Sequence, residues 1–299
     1  MSAERNVAEA LNDKLSKRFL CSVDGSRFSD YAFDVTRSLL KKIDHISVLH
    51  VYSVEDKHSQ ADPDRMREKY DTELLGHYPS SKYSLIWHNN DKDKKPVKEI
   101  LVKVSEGKFG GMTAPDFLVL GYSGWRFHNV DGSRKDHATT AGSTADFALR
   151  TIRNPVILVK EEPRMNCPKN FVMSVNKSNA SKMGLDILYT LISPRDSLTI
   201  ININDSSIDA MGNSDSREVR NYYERELEDN CPTTRFKFVS VVKSGVVATI
   251  DTLKDYLDNM EEYLDYFCIA PRLRQDRMFS TLTDQVLLEV KANIVLCKV

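Results

Sequence analysis

Two glycines, Gly121 and Gly124, follow directly on the apolar run Phe117-Leu118-Val119-Leu120. After a polar loop the small residues Gly142-Ser143-Thr144 open an apolar helical pattern carried by Phe147, Ala148 and Ile152, and Pro155 then precedes a second apolar run, Val156 to Val159. Strand, glycine-bearing loop, helix N-terminus, strand is an arrangement that cradles phosphate. Glycines let backbone N–H groups approach an anion, and the unpaired amides at the positive end of a helix complete the site. A glycine after a strand is also an ordinary turn residue, so the pattern stands beside that plainer reading. Asp24, in Asp24-Gly25-Ser26 after the first strand, is a carboxylate able to accept hydrogen bonds from a ligand; it equally suits an Asp-Gly turn or a helix cap. Between Gly124 and Gly142 lie Arg126, His128, Arg134, Lys135 and His137. Arg126, Arg134 and Lys135 form a candidate phosphate lid, or else a solvated rim.

The elements that must position these residues alternate in type. Residues 1–16 read as a tail or short helix. Arg18 to Val23 is a first strand, followed by a helix from Tyr31 to Lys42 that Ser29 would cap. Ile46 to Tyr52 is a second strand and Asp64 to Leu75 a second helix; Tyr83 to His88 is the third strand, and the third helix runs from about Pro96 to Glu106. The charge run from Asp91 to Lys95 reads as an exposed loop before that helix. Strands and helices at this spacing mean βαβ units, hence a parallel sheet covered by helices on both faces.

Composition excludes several classes. Lys plus Arg number 42 against 43 Asp plus Glu, a balance that argues against nucleic-acid binding or a polybasic membrane anchor. No apolar run approaches the roughly 18 residues of a membrane span. Five cysteines, an odd count without a C-x-x-C pair, include Cys21, Cys268 and Cys297 inside apolar runs, the pattern of reduced thiols. With an N-terminus lacking a signal-peptide core, this makes the cytosol the expected location. The histidines show no metal-ligand spacing, and neither a Walker A loop nor a G-x-S-x-G elbow is present. No catalytic residue and no protein-held metal is therefore expected.

After Glu161-Glu162-Pro163 the pattern restarts. Shifting the chain by 152 residues aligns KRFLCSVDGSRFSDYAFDV with KNFVMSVNKSNASKMGLDI without a gap, and the register continues to Ile46-Ser47-Val48-Leu49 against Leu198-Thr199-Ile200-Ile201. This is a tandem duplication. The domains expected are 17–163 and 164–299. In the second copy Asn176 replaces Asp24, Lys177 replaces Gly25, Ala270 and Leu273 stand at the two early glycine positions, and Ser280-Thr281 is the nearest counterpart of Gly142-Ser143. A Cβ at the glycine positions is expected to obstruct backbone approach to phosphate, which makes the second copy degenerate. Arg272, Arg274 and Arg277 leave open a different ligand there, or a solvated loop.

The runs FLCSVDGSRFSDYAFDVTRSLLKK, SVLHVYS and PDFLVLGYSGW together with AGSTADFALRTIRNPVILVK resemble a universal stress protein domain. The resemblance implies an adenine-nucleotide α/β fold with five parallel strands in the order 3-2-1-4-5 in each half, and similarity to tandem members whose two halves pair as an intramolecular pseudo-dimer. It implies that Asp24 holds the adenosine, that Val51 lines the base pocket, and that Gly121, Gly124, Gly142 and Ser143 hold the phosphates. Ser22, Val23, Leu120 and Thr144 complete the implied nucleotide-binding set. Seventeen residues, Trp125 to Ala141, separate the last two glycines where the family pattern has nine, which reads as an eight-residue insertion able to admit or to block a ligand. The expected ligand is ATP, ADP or AMP, with any magnesium arriving on the phosphates. The expected role is a stress-response or signalling regulator acting on a protein partner still to be identified. The alternatives are a structural or interaction protein without nucleotide, and a slow ATP hydrolase.

Overall fold

The computed structural model describes residues 16–57, 59, 61–91, 94–123, 141–205, 214–230, 235–243, 247–271 and 279–298. The chain divides into two units, Met1–Glu162 and Pro163–Val299. The first contains β1 (Arg18–Val23), α1 (Arg27–Leu39), β2 (His45–Tyr52), α2 (Pro63–Leu75), β3 (Tyr83–Asn89), α3 (Val97–Ser105), β4 (Phe117–Gly121), α4 (Ser143–Thr151) and β5 (Val156–Val159). Its strands are parallel, in the order β3-β2-β1-β4-β5. The second unit repeats the plan with β6 (Asn170–Val175), α5 (Asn179–Leu191), β7 (Ser197–Asp205), α6 (Ser214–Asn230), β8 (Arg235–Lys243), α7 (Thr249–Asp258), β9 (Tyr266–Ile269), α8 (Thr281–Glu289) and β10 (Asn293–Leu296). Those strands run parallel in the order β8-β7-β6-β9-β10. Both sheets are the expected 3-2-1-4-5 arrangement.

The central strands are apolar because both of their faces are covered. Phe19, Leu20 and Cys21 of β1 and Leu118 and Val119 of β4 are buried, as are Val156 to Val159 of β5, and each such side chain contributes roughly 1.5–3 kcal/mol. Right-handed crossovers put α1 and α2 on one face of the sheet and α3 and α4 on the other. The first pair is tied by Tyr70 Oη donating to Asp30 at 2.8 Å and by Arg37 to Glu73 at 2.8 Å. In the second pair α3 packs on α4, with Lys98 Nζ 5.5 Å from the Phe147 ring centroid. Burial pushes the Cys21 and Cys297 thiols up to about 12 and the Cys268 thiol well above its ordinary value, so all three are inert packing groups.

The duplication extends into the packing. Phe19 stacks on Phe117 at 5.1 Å across β1 and β4, and Phe171 on Tyr266 at 4.8 Å across β6 and β9. Asp44 accepts from Lys17 N at 2.9 Å and Lys41 N at 2.8 Å; its counterpart Asp196 accepts from Lys169 N and Ser193 N, both at 2.8 Å. One buried carboxylate in each unit thus ties the start of the first strand to the turn before the second.

Helix α1 begins earlier than its apolar periodicity suggests. Gly25 adopts φ +82°, the left-handed region that favours glycine, and turns the chain so that Ser26 becomes the N-cap. Ser26 Oγ accepts from Ser29 N at 3.1 Å, and the Ser29 hydroxyl donates back to the Ser26 carbonyl at 2.8 Å, so Ser29 lies within the first turn. The helix ends at Leu39, with Leu40 already extended.

Candidate functional site

At the carboxyl ends of β2, β1 and β4 the first unit has a cleft of about 530 Å³. This is where strand order reverses, since β1 connects outward to β2 while β4 lies on its other side, and open α/β sheets bind ligands at that point. Ser22, Val23, Asp24, Val51, Leu120, Gly121, Gly142, Ser143 and Thr144 all line it. The fold therefore brings together every described residue of the nucleotide-binding set. Gly124, Arg126, Arg134 and Lys135, with most of the insertion, lie outside the described residues.

Each wall is built by a local rule. Asp24 Oδ1 accepts from Ser26 N at 3.1 Å, which fixes the turn out of β1. His50, buried near the end of β2, places Nδ1 3.0 Å from the Val23 carbonyl and Nε2 3.1 Å from that of Ala61, tying the floor to the loop before α2. Asp56 Oδ2 accepts from Ser53 N at 2.8 Å and Ser53 Oγ at 3.1 Å, closing that loop on itself. On the other side the Gly142 amide donates to the Tyr122 carbonyl at 2.8 Å, and α4 starts without a side-chain cap because its N-cap residue is glycine. The first amides of α4 therefore open on the cleft with the positive end of the helix behind them.

Gly121 has a different reason from the one its position after the strand suggests. A Cβ there would lie 2.8 Å from the backbone carbon and oxygen of Phe28, so the residue is glycine because the first turn of α1 crosses directly over the end of β4. In the second unit Ala270 stands at the matching place, and the room for its methyl comes from the helix: a Cβ on Gly184 of α5 would lie 2.6 Å from the Ala270 Cβ. The same strand and helix pair carries its glycine on opposite partners in the two units, at Gly121 against Phe28 in the first and at Gly184, the counterpart of Ala32 one turn on, against Ala270 in the second. The lost glycine of the second copy is thus accounted for by packing.

Other features of the second unit do separate it from the first. Asn176 Oδ1 repeats the turn bond of Asp24, accepting from Ser178 N at 2.9 Å, and adds a second from Ser181 Oγ at 2.9 Å. Helix α8 is capped by Ser280, whose Oγ accepts from Thr283 N at 3.3 Å. Asn202, the counterpart of His50, keeps only the shared bond, Nδ2 donating to the Val175 carbonyl at 3.0 Å. Leu273, Arg272, Arg274 and Arg277 lie outside the described residues.

Several cleft residues escape the sequence reading, among them His50, Asp56, Asn90 and two lysines. Lys94 and Lys95, part of the charge run taken for an exposed loop, line the same cleft. Nothing in their spacing marks this, because a charged loop reads alike whether it faces water or a site. His50 and Asn202 were within reach: the 152-residue shift sets them opposite each other as polar residues in apolar strands. Among the described residues no group of three His, Cys, Asp or Glu is arranged to hold a metal ion, and no helix is long and apolar enough to cross a membrane.

A scan against protein-family models and a search of curated proteins find no match. Solved structures do match. A universal stress protein from Archaeoglobus fulgidus is similar over 95% of this chain and 98% of its own, at 14% identity and a TM-score of 0.57. A functionally unknown protein from Pseudomonas aeruginosa matches 94% of this chain with 92% of its own, at 12% identity and a TM-score of 0.57. The cytoplasmic domain of a prokaryotic cation chloride cotransporter matches over 94% of both chains, at 13% identity and a TM-score of 0.52. At such identities the likeness is one of backbone, and with the repeated 3-2-1-4-5 sheets it identifies the fold of this chain as that of the universal stress proteins.

Proposed function

We propose that the first unit binds an adenine nucleotide in the cleft at its strand ends, and that the chain serves as a non-enzymatic stress-response or signalling regulator. The observation that carries this reading is the convergence of residues from three strands and a helix start on one cleft of about 530 Å³, a size within the roughly 300–1,000 Å³ of small-molecule sites. The groups present fit the ligand. Asp24 suits the hydroxyls of a ribose or the amine of an adenine, Val51 an apolar base edge, and the uncapped start of α4 a phosphate. Magnesium would accompany the phosphates, held in part by them and by water.

The test is twofold. Protein purified without added nucleotide is denatured and the released small molecules are identified by mass spectrometry; the melting temperature is then followed with ATP, ADP and AMP in magnesium. Retained adenine nucleotide, or a rise in melting temperature that saturates with ligand, is expected. Gly142→Asp supplies a direct contrast. A carboxylate at that N-cap closes the α4 start as Ser280 closes α8, so it should stabilise the folded chain by ~1 kcal/mol while weakening nucleotide binding at least ~10-fold. No retained nucleotide and no thermal shift with any of the three would overturn the reading.

One observation favours a protein that binds no nucleotide and works by contact alone. Gly121 is required by Phe28 whether or not a ligand is present. The same measurements separate the two readings.

A further inference from the structure

His50 lies in β2 at the floor of the cleft, 1% exposed and beside the rings of Tyr52 and Trp87, each 5.7 Å away. Its two ring nitrogens reach carbonyls of different elements. Nδ1 stands 3.0 Å from the oxygen of Val23, the last residue of β1, and Nε2 3.1 Å from that of Ala61, in the loop before α2. That loop continues from Val51 and lines the cleft through Ser53, Asp56 and Ala61. Its two ends are fixed by β3 and the turn after it: Val54 N donates to Asp91 at 3.0 Å, and Trp87 Nε1 donates to the Pro63 carbonyl at 2.8 Å. Between those ends its bonds are short-range, Asp56 N on the Ser53 carbonyl, Ser59 N on that of Asp56 and Ala61 N on Ser59 Oγ. The bond from His50 to Ala61 joins this turn to the floor.

The second copy shows one of the two bonds without the other. Asn202, at the matching place in β7 and 4% exposed, donates from Nδ2 to the Val175 carbonyl at 3.0 Å, which repeats the bond of Nδ1 to Val23. Its Oδ1 is buried and meets no partner among the described residues. An acceptor in that place cannot hold a carbonyl as Nε2 does. The bond between strands is therefore enough for the sheet, and the bond to Ala61 is an addition of the first unit.

We propose that His50 is a positioning residue for the ligand: by joining Val23 to Ala61 it holds the loop after β2 as the nucleoside-side wall of the cleft. This rests on the nucleotide reading of that cleft. Both partners are acceptors and a neutral imidazole has one N–H to offer, so the two bonds exist together only on the doubly protonated ring. The charged groups around it are Asp24 at the end of β1, Asp56 in the loop, and Lys94 and Lys95 after β3, while Asp91 and Asp62 are engaged by the backbone amides of Val54 and Asp64. All of these are common to the wild type and a variant at position 50, so the difference between the two isolates the ring.

The full chain is titrated calorimetrically with adenosine and with ATP at about pH 6 and about pH 8, as wild type and as His50→Asn, the side chain of the second copy. The variant should bind both ligands more weakly by one common factor, about tenfold at the lower pH and less than about threefold at the higher, because both ligands share the nucleoside-side wall. Hydrogen exchange of the unliganded chain at about pH 6 should be faster in the variant at the amides of Asp56, Ser59 and Ala61 and unchanged in β1 and β2. Circular dichroism verifies the fold, and His50→Gln takes the place of the shorter side chain if Asn unfolds the unit. Equal affinities in wild type and variant, a loss that does not widen as pH falls, or unchanged exchange at those three amides would each overturn the inference and leave the nucleotide reading standing. If the wild type binds neither ligand, the nucleotide reading itself fails and takes the inference with it.

Discussion

His45 opens β2 beside Arg18 and Lys82, and burial, then these two cations, hold its imidazole below the ordinary value of 6.5. The sign of the consequence is fixed. As pH falls through 6.5 the unfolded chain takes up this proton before the folded chain does, so stability is complete above that value and declines below it until the folded imidazole also protonates. In urea unfolding followed from about pH 7.5 to about pH 5, wild type should lose more stability than His45→Gln; parallel curves would refute the assignment. His50, five residues on in the same strand, has both ring nitrogens facing carbonyl oxygens. Asp24, at the end of β1, was readable as a cleft-lining residue because the carboxyl ends of strands beside a reversal of strand order face a crevice, although its carboxylate also fixes the turn through Ser26 N. Lys94 and Lys95 were not, because periodicity reports which face of a regular element a residue occupies and says nothing about where an irregular loop comes to rest.

At the scale of elements the contact between β4 and α1, and its copy between β9 and α5, gives the sharpest expectation. Gly184→Ala should destabilise the second unit by roughly 1–3 kcal/mol, since its Cβ would lie 2.6 Å from that of Ala270. Ala270→Gly introduced with it should recover much of the loss, and a double-mutant cycle by chemical unfolding would measure the coupling. Additive effects would show that the two positions do not share the space. The order of the strands and the duplication were legible because buried parallel strands are continuous apolar runs and a fixed shift repeats them. The meaning of Gly121 was not. A glycine in a sequence says that a Cβ is unwelcome, and only the fold says whether ligand or backbone refuses it. The start of α1 lies ahead of its apolar periodicity for a related reason: its first turn carries few apolar residues, and the cap at Ser26 depends on the left-handed φ of Gly25.

Taken whole, the chain carries two copies of one sheet, yet the features suited to a ligand are found in the first. In the second, Asn176 takes a further bond from Ser181 Oγ beyond the turn bond it shares with Asp24, and Ser280 caps α8. Titration of the intact chain should therefore saturate at one nucleotide per polypeptide; saturation at two would show that the second unit retains a site despite these internal bonds. The likeness to solved structures at 14% identity or less shows how little of this fold depends on particular residues. Gly121 and Gly184 set a limit on that freedom. After duplication the two halves ceased to be interchangeable parts: a graft of β9 in place of β4 would drive the Ala270 methyl into the Phe28 backbone unless α5 travelled with it. Strand and helix have become a matched set in each half, and recombination between the halves is tolerated only at joints that keep each set whole.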